Sequence, residues 1–293
     1  MSPSRFVLCL LVSGAMLGAC AKPPSTQPRL SVASAVDTVS TSAIAKPAVL
    51  RVEQPLPSEI FTPRSISGRT LAVSTTADIA LRPREVVLTF DDGPRAGKTE
   101  AILATLASYG AKASFLMLGS AAEANPRLAQ RVAAAGHTVG SHTYGHVNLE
   151  KLDRQDAIAE IARGEAAVGK ALAGGGQKLA PFFRFPYLAQ TGFLRTGLLH
   201  SGAVVLDVDV DSKDYYRDTP AQVAARTIAR LEARGSGIVL FHDIHQRTVD
   251  MLPSFLDQLA RRGYTVVRLV PRGNSVFGRD LITAGMTAAE TAL

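Results

Sequence analysis

The chain has 293 residues, 46% of them apolar, which is enough to bury the core of one large α/β domain or two small ones. The formal net charge of +7 does not indicate nucleic-acid binding, because most of it lies before residue 85 and the rest of the chain is nearly neutral. Only Cys9 and Cys20 occur, which excludes a disulfide framework.

The first twenty residues have the pattern of a bacterial lipoprotein signal. Arg5 precedes an apolar run over residues 6–17 that is too short for a permanent membrane span. The run leads into LGAC at residues 17–20, which predicts removal of residues 1–19 and acylation of Cys20. The alternative is a simple secretory signal cleaved nearby. The residue after the cysteine is Ala21 rather than Asp. By resemblance to the sorting pattern of Gram-negative lipoproteins, this favours the outer membrane, facing the periplasm, over the inner membrane.

Residues 20–84 are rich in Pro, Ser and Thr and predict a flexible tether, although residues 70–81 are apolar enough for a short strand or hairpin. From residue 85, apolar segments alternate with helical patterns as far as residue 272, which predicts successive βα units. A tail is expected over 273–293. The expected strands are 86–90, 112–117, 137–140, 182–185, 203–208, 237–241 and 264–268, and the expected helices are 98–109, 121–135, 153–172, 191–200, 220–233 and 248–262.

The first candidate site residues end the first of these strands. Residues 86–94 read VVLTFDDGP, an apolar run without polar alternation, which is typical of a parallel strand covered on both faces. Successive strand residues point to opposite faces, so Asp91 and Asp92 can serve one site only if the strand stops between or just after them. Gly93-Pro94 predicts that stop. A solvated Asp-Gly turn is the alternative interpretation.

A pair of histidines follows the strand expected at 137–140. His142 and His146 are spaced i and i+4, which predicts that they lie on one side of a helical turn and reach a single ion. Two histidines and one aspartate would give three protein ligands and leave a position open for water, the pattern of a catalytic zinc site. Two histidines at this spacing also occur by chance on surface helices.

Three further segments complete an ordered set: RFPY at 184–187, DVDSKDY at 209–215 and LFHD at 240–243. With these five segments the chain resembles the polysaccharide deacetylases of carbohydrate esterase family four, over about residues 85–270. The resemblance implies an irregular (β/α) barrel of about seven parallel strands. Independently of it, the candidate residues fall at or just after strand C-termini, where such a fold places its active site.

Membership of that family would give each of these residues a role. Asp92, His142 and His146 would hold a divalent metal, expected to be Zn²⁺ with Co²⁺ or another divalent ion as alternatives. Asp91 would act as general base and His242 as general acid. The resemblance implies that Arg184 orients Asp91, that Asp214 orients and charges His242, and that the Tyr187 backbone N–H helps bind the oxyanion.

The fourth motif departs from the family pattern, because Tyr215 stands where a Trp is usual and the chain has no Trp. A smaller or more polar acetyl pocket is expected. The resemblance implies that Tyr187, Tyr215 and Leu240 contact substrate. Asp209 and Asp211 are expected to be loop or capping residues. His245 follows His242 by three residues and could approach the same cleft, but a position at the surface or behind the site is favoured.

The expected function is metal-dependent removal of acetyl groups from N-acetylhexosamine units of a polysaccharide, with peptidoglycan or another cell-envelope polymer as the favoured substrate. Alternatives are an O-acetyl polysaccharide esterase, a non-catalytic polysaccharide-binding lipoprotein and a non-haem iron enzyme. We expect a monomer that binds polysaccharide, contacts the membrane through its lipid and has no nucleic-acid partner.

Overall fold

The computed structural model describes residues 65–272, which form nine strands and seven α-helices. The strands are β1 (Ser67–Val73), β2 (Glu85–Asp91), β3 (Ser114–Met117), β4 (Thr138–Ser141), β5 (Phe182–Phe183), β6 (Val204–Val205), β7 (Val210–Asp211), β8 (Gly237–His242) and β9 (Thr265–Pro271). The helices are α1 (Lys98–Ser108), α2 (Gly119–Ala124), α3 (Pro126–Ala134), α4 (Arg154–Ala173), α5 (Gly192–His200), α6 (Pro220–Arg234) and α7 (Gln246–Arg261).

Seven parallel strands, β2 to β8, form a nearly closed barrel. Neighbours along the chain pair from β2 to β6, β7 pairs with β8, and β8 returns to pair with β2. Within the described residues the one gap in the ring lies between β6 and β7, which are consecutive in the chain. The expected (β/α) barrel of about seven parallel strands is confirmed.

Two strands lie outside this ring. β9 pairs with the first residues of β2, and β1 pairs with β9 in parallel. The strand expected at 264–268 is therefore β9 rather than a barrel strand. β1 precedes the boundary expected at residue 85 and overlaps the 70–81 segment for which a strand was expected. The two-residue strand β7 was not expected as a separate element.

The strand β2 shows how the core is divided. Val86, Leu88 and Phe90 belong to the large apolar cluster shared with the surrounding helices, whereas Val87 belongs to a second cluster with residues of other barrel strands. The Phe90 ring stacks between Phe115 and Phe241, with centroid distances of 5.0 and 5.6 Å. Because side chains alternate along a strand, Asp91 shares the face of Val87 at the carboxyl end of the barrel.

The helix expected over 121–135 is two helices, because the chain breaks at Asn125. Asn125 adopts φ −135° and ψ 56°, and Pro126 starts α3 at its first position, where the missing proline N–H costs no helical hydrogen bond. α2 and α3 are therefore separate elements, and the first residues of α2 contact the loop that follows β4. Within residues 65–272, none of the helices is long and apolar enough to cross a membrane.

The expected signal segment 1–19, the lipidated Cys20, most of the tether and the tail at 273–293 lie outside the described residues. They stay predictions from sequence.

Candidate active site

The two adjacent aspartates reach one cleft because the strand ends between them. Asp91 is the last residue of β2, and Asp92 adopts a left-handed conformation with φ 74°. This turn redirects Asp92, which in a continued strand would point away from Asp91. Gly93 packs against Asp243 so closely that a Cβ would lie 2.1 Å from an Asp243 carboxylate oxygen. The chain therefore needs glycine at this turn.

His142 and His146 lie in a loop, so the helical turn expected for them is wrong. Thr143 and His146 both have positive φ, 68° and 57°, which a right-handed helix does not allow. The N–H groups of Gly119 and Ser120, at the start of α2, donate to the carbonyls of Thr143 and Tyr144. These bonds hold the loop in a shape that brings both imidazoles to Asp92.

Asp92, His142 and His146 form a candidate metal centre, with one potential ligand atom from each lying within 4.8 Å of the others. Asp92 Oδ1 is 3.6 Å from His142 Nε2 and 3.5 Å from His146 Nε2. This oxygen is buried and has no hydrogen-bond donor within the described part of the chain. A buried carboxylate oxygen without a donor, facing two imidazoles, fits a divalent cation.

The surroundings of His142 favour the tautomer and the neutral charge state that bind a metal. Its Nδ1 lies 2.8 Å from the carbonyl oxygen of Arg184, so Nδ1 carries the proton and donates, leaving the Nε2 lone pair toward Asp92. Burial lowers the pKa of His142, which favours the neutral ring that a metal requires.

The Asp91 carboxylate is held from one side by a buried arginine. Arg184 Nη1 donates to Asp91 Oδ1 at 2.8 Å, and both side chains are almost fully buried. Arg184 Nη1 also donates to Thr89 Oγ1, and Arg184 Nε donates to the carbonyl oxygen of Leu206. Asp91 Oδ2 stays on the side of the metal centre, 3.8 Å from His142 Nε2. This geometry leaves one carboxylate oxygen available to accept a proton.

His242 ends β8 and is paired in register with Asp91 of the adjacent strand β2. Its Nδ1 is 2.7 Å from Asp214 Oδ1, and Asp214 Oδ2 accepts from the His242 backbone N–H and from Thr248 Oγ1. Burial opposes the charged imidazole, but the hydrogen bond and charge of Asp214 outweigh it and raise the pKa of His242 to about 9. The ring is therefore protonated at neutral pH.

Asp214 itself is fully buried, and burial acts to raise its pKa. The bonds from His242 and Thr248 reverse that effect and hold the pKa of Asp214 below its ordinary value. Asp214 therefore stays a carboxylate and fixes both the charge and the orientation of His242.

These groups surround one cleft of about 450 Å³. Besides Asp91 and Asp92, the cleft is lined by ten residues: His142, His146, Phe185, Tyr187, Leu188, Asp211, Tyr215, Leu240, His242 and His245. The Tyr187 ring packs edge-on against His146 at a centroid distance of 4.5 Å, and Tyr215 packs edge-on against His242 at 5.5 Å. The cleft therefore has aromatic walls beside both the metal centre and the protonated histidine.

Every site residue predicted within the described part of the chain is at this cleft or directly behind it. Arg184 and Asp214 lie behind the wall, where they contact Asp91 and His242. The remaining predicted residue, Cys20, is outside the described residues.

Four lining residues received no site role from sequence: the polar Asp211 and His245 and the apolar Phe185 and Leu188. Asp211 accepts the Lys213 N–H, as expected of a capping residue, but its other oxygen accepts the Tyr215 hydroxyl at 2.8 Å. Burial, followed by this bond to Asp211, raises the pKa of Tyr215, which keeps the phenol neutral. No sequence pattern predicts this contact, because residues 211–215 are not helical and an i, i+4 spacing brings side chains together only in a helix. His245 lines the cleft and packs edge-on against His242.

The chain is similar in sequence to known polysaccharide deacetylases. The family model "Polysaccharide deacetylase" matches residues 78–202. A peptidoglycan-N-acetylglucosamine deacetylase of Listeria monocytogenes is 32% identical over 186 residues, covering 64% of this chain and 38% of that protein. A chitin deacetylase of Colletotrichum lindemuthianum is 31% identical over 215 residues, covering 69% of this chain and 84% of that protein.

A solved structure of a Bdellovibrio bacteriovorus peptidoglycan deacetylase is also similar. It aligns with a TM-score of 0.62 and 37% identity, covering 73% of this chain and 59% of that one. The chain thus spans less than half the length of the Listeria relative but most of the fungal one.

Proposed function

We propose a function from the premise that this chain belongs to the polysaccharide deacetylase family, to which the family model and the relatives assign it. The protein hydrolyses the acetamide of N-acetylhexosamine units in a polysaccharide of the cell envelope, and peptidoglycan is the favoured substrate. One observation supports this most: a carboxylate and a protonated histidine, paired on neighbouring strands, border the same cleft as three metal-binding side chains.

Asp92, His142 and His146 would hold a divalent cation, which we propose to be Zn²⁺, with Co²⁺ as a substitute. Such an ion, when bound, supplies Lewis acidity that lowers the pKa of water and polarises a carbonyl oxygen. The remaining steps belong to side chains of this protein.

Asp91 is the general base. Its Oδ2 takes a proton from the attacking water as the new C–O bond forms at the acetyl carbon. Arg184 fixes Oδ1, so the free oxygen keeps its direction, and the cationic guanidinium balances the buried carboxylate. We assign a supporting role to the Tyr187 backbone N–H as a donor to the developing oxyanion, as the family resemblance implies.

His242 is the general acid. It donates its proton to the nitrogen as the C–N bond breaks, so that a free amine and acetate are released. The proton is present at neutral pH because Asp214 raises the pKa of His242 to about 9. Leu240 and Tyr215 form the wall that receives the acetyl methyl group, and the bond from Tyr215 to Asp211 holds that ring in place.

An acetate-release panel tests the function. Wild-type protein loaded with zinc is incubated with peptidoglycan, chitin oligosaccharides and O-acetylated xylan, and acetate is measured with time. We expect acetate from the N-acetylated substrates. Release from xylan alone would favour the O-acetyl esterase, and no release from any substrate would favour a non-catalytic binding protein.

We also propose that acylated Cys20 anchors the protein to the membrane, on the periplasmic side of the outer membrane. The support is the signal-like pattern of residues 1–20 and the neutral, tethered domain that follows. We propose that the protein acts as a monomer.

A further inference from the structure

A second cavity, of about 720 Å³, adjoins the catalytic cleft. The two share Asp92, His146 and His245 as lining residues, so they meet at the metal centre. A polymer whose acetamide lies at that centre therefore has room to extend into this second cavity, which we call the side cavity.

The side cavity differs from the cleft in charge. Two cations line it: Arg95, just before α1, and Lys98, the first residue of α1. The Arg95 side chain is exposed, and its guanidinium makes no hydrogen bond or ion pair within residues 65–272. Lys98 Nζ donates to the carbonyl oxygen of Ile244 at 2.7 Å, which fixes the ammonium at the wall and leaves two donors free.

The carboxylates nearby do not neutralise these cations. Asp92 is the one acidic residue that lines the side cavity, and its Oδ1 faces the two metal-binding histidines. Glu100, on the first turn of α1, accepts the Gly97 N–H and pairs with Arg131, and it does not line the cavity. Within residues 65–272, the wall formed by Arg95 and Lys98 is therefore a positive surface whose charges no carboxylate pairs.

Apolar groups complete the side cavity. Pro94, Leu118 and Ile244 line it together with the two cations. A ligand that fits this lining has a carbon skeleton and a negative charge. Guanidinium and ammonium groups recognise carboxylates through charge-assisted hydrogen bonds.

We propose that the side cavity is a subsite for a carboxylate carried by the sugar unit next to the one that is deacetylated. The inference rests on the proposed function and narrows its substrate class, because it selects amino-sugar chains in which a sugar carries a free carboxylate, such as peptidoglycan glycan freed of its peptides, over neutral chitin-like chains. Arg95 is the main charge partner, and Lys98 supports it from its fixed position.

The test compares two ligands that differ at one group, which is charged in the first and neutral in the second. Peptidoglycan glycan strands freed of peptide are used with their carboxylates intact or converted to methylamides, and binding is measured on zinc-loaded Asp91→Asn protein. This variant keeps substrate intact, so the measurement does not depend on turnover. We expect about 5- to 20-fold tighter binding of the acidic strands, with the difference shrinking as salt is added.

Variants locate the effect. Adding Arg95→Gln should bring the affinity ratio close to one. Lys178→Gln, which removes an equal charge beside the start of β4, should leave the ratio unchanged. Equal affinity of both strands, or a ratio that persists in Arg95→Gln, would overturn the proposal.

The acetate panel separates the two proposals. Preferential binding of acidic strands without acetate release would contradict the deacetylase assignment and leave the subsite standing. Acetate release combined with equal binding of both strands would support the deacetylase assignment and contradict the subsite.

Discussion

At the scale of single residues, the Arg184–Asp91 pair lies where charges are most costly. The two side chains are only 1% and 2% exposed, and each buried charge is stabilised by the opposite charge of the other. Arg184→Met should lower the free energy of unfolding by about 3–5 kcal/mol, because it leaves a buried carboxylate without its partner. Chemical denaturation measures this loss.

The matched control is Arg195→Met. Arg195 pairs with Asp207 near the surface, and removal of such a pair should cost about 0–1 kcal/mol. If Arg184→Met lowers the free energy of unfolding no more than this control does, Arg184 does not stabilise the buried Asp91 carboxylate.

Asp214 sets the pH range over which His242 can act as an acid. It raises the pKa of His242, so activity should persist until the pH passes that value and then fall as the imidazole loses its proton. Asp214→Asn should move this alkaline limb down by roughly one to two pH units and lower the rate. The readout is kcat/KM against pH, alongside zinc content.

Asp257→Asn, which removes a carboxylate paired with Arg261 on α7, serves as the control and should leave the limb in place. Loss of zinc in Asp214→Asn would place Asp214 among the metal ligands. An alkaline limb that does not move would mean that His242 is not the acid or that Asp214 is not its partner.

At the scale of elements, helix α4 shapes the metal-binding loop. A Cβ on Gly164 would lie 2.3 Å from the backbone carbonyl carbon of Thr143, inside the loop that carries His142 and His146. Gly164→Ala should therefore displace the loop, lower stability and weaken zinc binding by about 10-fold or more. Zinc titration and thermal unfolding measure both effects.

The same helix supplies the control. Gly169 has open space around it, so Gly169→Ala should raise the free energy of unfolding by about 0.5–1 kcal/mol through helix propensity and leave zinc affinity unchanged. Equal stabilisation by Gly164→Ala and Gly169→Ala would contradict the close contact between α4 and the loop that carries His142 and His146.

The sequence predicted the positions of the strands and helices better than the conformations of the loops that connect them. The apolar run of β2 and the strands that follow predicted successive βα units, because burial on both faces leaves a clear pattern, whereas the barrel was predicted from the family resemblance. The loop at residues 142–146 was mistaken for a helical turn, since its shape depends on left-handed residues and on bonds from α2. The break at Asn125 has a sequence signal in Pro126, but the choice between a helix start and a kink depends on packing.

At the scale of the whole molecule, motif order predicted which distant residues meet, because parallel strands bring their carboxyl ends to one edge. Tyr215 bonding to Asp211 and the side cavity beside Arg95 were not predicted. Both depend on the paths of loops between strands, which periodicity does not encode.

Attachment to the membrane is also a property of the whole molecule. With Cys20 acylated, the protein should partition with membranes, and Cys20→Ser should release it or stall its processing. Membrane fractionation and mass measurement of the mature N-terminus check this. A soluble wild-type protein without lipid would contradict the lipoprotein signal.

The most direct test of the account measures acetate release and bound zinc together in wild type and Asp91→Asn. Chelation should abolish wild-type activity and zinc or cobalt should restore it, because the nucleophile depends on the ion. Asp91→Asn should keep stoichiometric zinc but lose about 100-fold or more of the rate, whereas His142→Ala should lose the metal itself. Full activity of the metal-free wild type, or fast turnover by Asp91→Asn, would contradict the account.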